Sequence, residues 1–221
     1  QKYFHGNMRR SGNMKIKQKI ERFVYDHPNF GVPDLMRYVV IAGGVFWLLG
    51  MVYPQALSYI GFSPLHIMRG QVWRIVSFVF YPPDTSIIAL IAFYFYYFIG
   101  STLEQSWGTA KFNLFFFSGI ILTVVFGFVI YFLTGISYMV DSTFIYLSMF
   151  FAYAALYPDQ TVLLFFIIPI KMKYLALVDA AFFLISILSN SFPGNLLPIV
   201  ALLNVVIFCG EDILGMFSLP R

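Results

Sequence analysis

The sequence predicts an all-α polytopic membrane protein: six transmembrane helices, with a membrane-associated loop between helices 1 and 2. Three observations lead there. Of 221 residues, 60% are hydrophobic and 11% charged, whereas a soluble domain carries about 25% charged residues. Apolar stretches recur six times, and at ~20 residues per crossing they use up most of the chain. The cations cluster by segment instead of being scattered.

Residues 1–33 read as a basic segment ahead of a membrane domain over 34–221. Lys2, Arg9, Arg10, Lys15, Lys17, Lys19 and Arg22 occur there with no apolar core among them, which argues against a signal peptide. Ile16, Ile20, Phe23 and Val24 fall at helical spacing beside the lysines. An amphipathic helix on an anionic leaflet and a solvated tail that only sets topology fit this pattern equally.

The first span is expected over 35–58, after Pro33-Asp34, with Gly43, Gly44 and Gly50 allowing close helix approach and Pro54 marking the exit. Residues 59–86 are too polar and broken to cross, so they read as a loop with short helical pieces, ended by Pro82-Pro83-Asp84. Trp73 and Arg74 suit the headgroup level, where an amphipathic ring and a snorkelling cation are favourable. The second and third spans are expected over 85–103 and 112–133, with a tight turn from Glu104 to Lys111. The fourth covers 143–157 and closes at Tyr157-Pro158-Asp159. Residues 160–174 are apolar but interrupted by Pro169, Lys171 and Lys173, which favours an interfacial segment over a span. The fifth and sixth spans, 175–190 and 197–217, are separated by residues 189–195.

Six crossings put the eight cations of residues 1–37, with Lys111, Lys171, Lys173 and Arg221, on one side of the membrane. Only Arg69 and Arg74 fall on the other side. The positive-inside rule then places both termini in the cytoplasm. The single cysteine, Cys209, offers no disulfide or metal framework.

One stretch carries more specific information. Trp73-Arg74 precedes the second span, and Gly100, Glu104 and Gly108 follow at its far end. An arginine and a carboxylate flanking a span are costly unless each is partnered, so a structural anchor is expected of both. In this order and spacing the residues resemble the signature of the rhomboid superfamily. The stretch from Tyr157-Pro158 through Leu164-Phe165-Phe166 to Pro169, Lys171 and Lys173 adds to the likeness, which extends over about residues 35–215. The resemblance implies a six-helix bundle with a membrane-open cavity. Active rhomboids are intramembrane serine proteases. Their nucleophile opens the fourth helix in a GxSG motif, their general base is a histidine on the sixth, and a His and an Asn on the second help hold the oxyanion.

The matching positions here are degenerate. GxSG falls on Asp141-Ser142-Thr143-Phe144, which has no glycine and holds Thr143 in the serine slot; the nearest likeness elsewhere is Gly61-Phe62-Ser63-Pro64 in the loop. His5, His27 and His66 all precede the second span, and Asn204, the nearest polar residue on the sixth, cannot accept a proton at useful pH. The oxyanion positions are Ile88 and Ala92, and bulky Ile88 and Phe144 are expected to fill the space that is open and polar in active members.

Two polar residues remain inside spans. Asp179 lies within the fifth, where an ionisable group points to function by default, yet an ion pair with Lys171 or Lys173 is the nearer expectation. Asn204 fits an interhelical hydrogen bond. The resemblance therefore implies a catalytically inactive homologue, a pseudoprotease, in a bacterial-type inner membrane. It would bind transmembrane segments of other membrane proteins within the lipid bilayer, with no cofactor, metal or nucleic acid. A protease with a non-standard site, such as Ser142 beside Asp141 or Ser148 with Asp179, is one alternative. A small transport component with Asp179 and Asn204 along its path is the other.

Overall fold

A computed structural model of the chain describes residues 12–83, 85–164, 168–189 and 197–217. Helix α1 (Gly12–Asp26) precedes α2 (Leu35–Val52). A loop with 3-10 turns at Pro54–Tyr59 and Phe78–Phe80 carries two short helices, α3 (Pro64–Met68) and α4 (Arg74–Ser77). Then come α5 (Ala89–Trp107), α6 (Thr109–Thr134) and α7 (Thr143–Leu156), a hairpin of β1 (Thr161–Leu164) and β2 (Ile168–Lys171), and α8 (Met172–Ser189) and α9 (Leu197–Phe217). A helix thus stands at each of the six expected span positions. Of these, α2 and α6 are long and apolar enough to cross a membrane by length and composition alone.

Helix α7 is the centre of the packing. Its Ile145, Tyr146, Met149, Ala152 and Tyr153 are all buried, and it contacts α5, α6, α8 and α9. Small residues set how closely the helices pack. A Cβ at Gly100 of α5 would collide with Met36 of α2 and stand 2.9 Å from the Met149 methyl of α7, so three helices converge on the missing side chain. The loop is held from within. Phe62 is fully buried between Phe78 and Phe128, and its backbone pairs with Val140 ahead of α7 at 2.8 and 2.9 Å.

Several boundaries differ from expectation. The first helix stops at Val52, because Pro54 starts a 3-10 turn. The expected turn over Glu104–Lys111 shrinks to Gly108, whose φ of 80° ends α5 and lets α6 begin at Thr109. The expected interfacial segment is an antiparallel hairpin pairing Thr161 with Lys171 and Leu163 with Pro169; residues 165–167 lie outside the described residues. A two-stranded sheet has only edge strands, so Pro169 is tolerated. The basic segment contains a helix whose Ile20 packs on the core while Lys19 and Arg22 stay exposed, so it is neither a merely solvated tail nor a helix resting on lipid alone. Asp84, the break at 190–195, and Lys2, Arg9 and Arg10 lie outside the described residues.

Adding a methyl at Gly100 is expected to cost about 1–3 kcal/mol through overpacking. Gly44, with nothing within 4 Å of its Cβ position, should tolerate alanine. Melting curves of Gly100→Ala and Gly44→Ala in detergent test this; equal midpoints would remove the convergence assigned to Gly100.

Candidate functional site

The loop that follows α2 is organised by Arg74. Its guanidinium is 2% exposed and has no carboxylate partner among the described residues. Its Nη1 donates to the carbonyls of Ser58 (2.8 Å) and Gly61 (2.7 Å), and its Nε to Gln71 Oε1 (2.7 Å). Burial lowers its pKa from the ordinary value, with the nearby Tyr59 phenol acting the other way. A guanidinium stays charged regardless, so these oxygens carry a buried cation. Trp73 lies across the same turn, its indole donating to Tyr59 O at 3.0 Å.

Glu104 does the corresponding work one helix length away. One carboxylate oxygen accepts from the Asp34 backbone N–H and from the Thr109 hydroxyl, each at 3.0 Å. It joins the last turns of α5 to the starts of α2 and α6. Asn113 extends the tie, accepting from Val32 N–H at 2.9 Å and donating to Val32 O at 3.0 Å. Arg74 and Glu104 therefore do not pair with each other; each has its own oxygens or donors.

The positions that would carry proteolysis are separated by their bonds. Asn204 is buried on α9, where its Oδ1 accepts from the Ser118 hydroxyl (2.7 Å) and its Nδ2 donates to Phe115 O (3.1 Å), both on α6. Thr143 starts α7 with its backbone N–H on Asp141 Oδ1 at 2.9 Å. Neighbouring Ser142 is buried and donates to Tyr81 O at 2.8 Å. Buried Ser148 donates to Ile145 O at 2.7 Å, within its own helix. The loop does bring a serine and a histidine together, with Ser63 Oγ 2.9 Å from His66 Nδ1. That serine is buried and also bonds Ser137 Oγ at 3.1 Å, so the pair fastens α3 to the α6–α7 connection.

Between α5, α7 and α8 lies a cavity of about 470 Å³. Ala92, Phe95 and Tyr96 line it from α5, Thr143, Tyr146 and Phe150 from α7, and Leu175, Val178, Asp179 and Phe182 from α8. Val178 and Phe182 are exposed, so the α8 side is open to the surroundings. Of the two oxyanion positions, Ala92 lines this space, whereas Ile88 is 64% exposed at the start of α5 and does not. Phe144 is absent from the lining as well. The expected filling of this space by Ile88 and Phe144 is therefore corrected: aromatic walls leave it open. Tyr96 stacks on Tyr146 at 4.1 Å, and the Tyr146 hydroxyl is committed to Val79 O at 3.0 Å.

Among protein families, residues 37–209 match the one described as eukaryotic integral membrane protein (DUF1751). The chain belongs to that family. It is an integral membrane protein and sits in a lipid bilayer. The family's description is eukaryotic, which replaces the bacterial membrane expected from the resemblance. No curated protein and no solved structure matches the chain.

In this membrane protein the lysines expected to neutralise Asp179 are held elsewhere. Lys173 Nζ lies 2.9 Å and Lys171 Nζ 3.3 Å from Asp159 Oδ1, beside the hairpin. Hydrogen bonds from Lys173 and then Lys171 hold the Asp159 carboxyl below its usual range. Asp179 makes no hydrogen bond or ion pair with any described residue, and its expected pairing with those lysines is corrected. Sequence reasoning missed Asn113 and weighed Ser142 only as a nucleophile beside Asp141; their partners lie 81 and 61 residues away.

Replacing Glu104 with leucine leaves the Asp34 N–H and the Thr109 hydroxyl without their acceptor. The expected loss is about 1–3 kcal/mol, with Glu104→Gln milder because one amide oxygen remains. Thermal unfolding in detergent reads both; an unchanged midpoint in Glu104→Leu would remove the anchoring role.

Proposed function

We propose that this integral membrane protein is a rhomboid-like pseudoprotease that binds transmembrane helices of other membrane proteins laterally, in the cavity between α5, α7 and α8. The observation that carries the reading is that cavity, open on the α8 side and walled mainly by aromatic and aliphatic groups. Helix association in lipid relies on close packing and interhelical hydrogen bonds, and a lateral opening of this lining suits both. Proteolysis has no comparable support. Asn204 is bonded into α6, no hydrogen bond links the Thr143 hydroxyl to a base among the described residues, and Asp141 and Phe144 stand where glycines would let a substrate backbone approach.

The reading includes six crossings with both termini in the cytosol. The distribution of lysine and arginine supports that topology, as do helices at all six positions. In a variant lacking Cys209, cysteine at Ile136 should label with an impermeant thiol reagent from the non-cytosolic side, and cysteine at Gln18 should not. The reverse pattern would overturn the orientation.

Two measurements test the function. A fluorophosphonate probe is expected to leave the protein unlabelled, and Thr143→Ser with Asn204→His is expected not to cleave a model transmembrane substrate. A photocrosslinking residue at Phe182 should capture transmembrane proteins from native membranes, while one at Ile121, exposed on α6 and outside the cavity, should not. Labelling, cleavage or equal capture at both sites would sink the reading.

A further inference from the structure

Asp179 is the one acidic residue lining the cavity, and it is half-buried. It follows Lys173 by six residues, which places it about 9 Å along α8 from the lysine-bearing end, with ten residues, or about 15 Å, still to run to Ser189. On the six-crossing reading above, this sets Asp179 within the span, away from the headgroups at either end. A carboxylate there is costly without a partner. The nearest lysines are committed to Asp159, and no described residue bonds Asp179. Neighbouring Tyr96 stacks on Tyr146, and the carboxylates of Asp179 and Asp141 lie within its electrostatic reach. The cavity thus presents a negative or proton-sharing group to whatever enters it, and no cation among its described lining residues.

We propose that Asp179 recognises a lysine or arginine carried near mid-span by the helix that docks in the cavity. This rests on the helix-binding reading above and names the chemistry of the client. Charge complementarity decides the occupant. A second copy of this chain cannot supply it, because the cations of the described spanning helices sit near their ends: Arg37 in α2, Lys111 in α6 and Lys173 in α8. On the six-crossing reading, a lipid amine at the headgroup level does not reach Asp179. A basic side chain on a foreign helix satisfies Asp179 and has its own charge neutralised by the same contact. Helices with mid-span cations would be selected over wholly apolar ones.

The full chain in phosphatidylcholine vesicles, with a photocrosslinking residue at Phe182, tests this with three synthetic helices. These are leucine-alanine spans carrying leucine, lysine or glutamate at the centre. The lysine helix is expected to crosslink roughly tenfold more than the leucine helix, the scale of one interhelical polar contact in lipid, and the glutamate helix less than either. Asp179→Leu should erase that preference, read as the ratio of lysine-helix to leucine-helix capture. Asp179→Lys should transfer the preference to the glutamate helix, which a merely structural role would not do. Moving the lysine two turns toward the helix end should also abolish the advantage. Equal capture of lysine and leucine helices, or a preference that survives Asp179→Leu, overturns the assignment but not the helix-binding reading. Capture of no helix at Phe182 overturns both. Melting curves confirm folding, and Asp179→Asn gives a near-isosteric variant for which a reduced preference is expected.

Discussion

The fold depends on Glu104 being satisfied by hydrogen bonds, with no cation paired to it among the described residues. A carboxylate near a helix end inside a membrane protein is normally expected to find an arginine or lysine. This one takes a backbone N–H and a hydroxyl, each from the first residues of another segment. Hydrogen bonds to a charged acceptor are the stronger kind, and here one oxygen receives two of them. Because the donors belong to the starts of α2 and α6, the carboxylate fixes where both helices begin relative to the end of α5. Gly108 makes that geometry possible, since its positive φ turns the chain within one residue.

Arg74 applies the same logic with the sign reversed. The loop after α2 folds back around a guanidinium that spends its donors on two loop carbonyls and one side-chain amide. Irregular backbone at or near the membrane is tolerated only where its polar groups are satisfied within the protein. The loop meets that condition through Arg74, through Ser77 on Ile60 O, and through the Phe62–Val140 pairing. With both ends of the bundle fixed, α7 can carry a buried face of aromatic and small residues against its neighbours.

The helices were legible because long apolar runs between polar breaks read the same way whatever their neighbours. Trp73, Arg74, Gly100, Glu104 and Gly108 were legible as anchors, although a direct Arg74–Glu104 relation was not theirs. The ends of α5 were less so. Gln105 and Ser106 look like turn residues, but Ser106 returns its hydroxyl to Thr102 O at 2.7 Å and the helix continues. The hairpin was hidden, since a short apolar run with a proline has no period of its own. Asn113, Ser137 and Ser142 act through partners far along the chain, which no local pattern encodes. For Asp179 the reading by proximity failed on geometry. Six residues along a helix put Lys173 about 120° round the axis, and Asp159 was waiting on the other side.

The polar groups of this bundle therefore fall into two kinds. Those where the rhomboid resemblance would put catalytic groups are bonded into the scaffold: Asn204 locks α9 to α6 beside Gly119, and Ser142 closes the start of α7 onto Tyr81. Ala92 and Thr143 still line the cavity, and among the described residues no hydrogen bond joins the Thr143 hydroxyl to a base. The one carboxylate lining the cavity is on α8. A group kept for packing would be expected to show the hydrogen bonds that Asn204 shows. Asp179 shows none among the described residues, and it faces the open side. The partner helix proposed above would account for that difference.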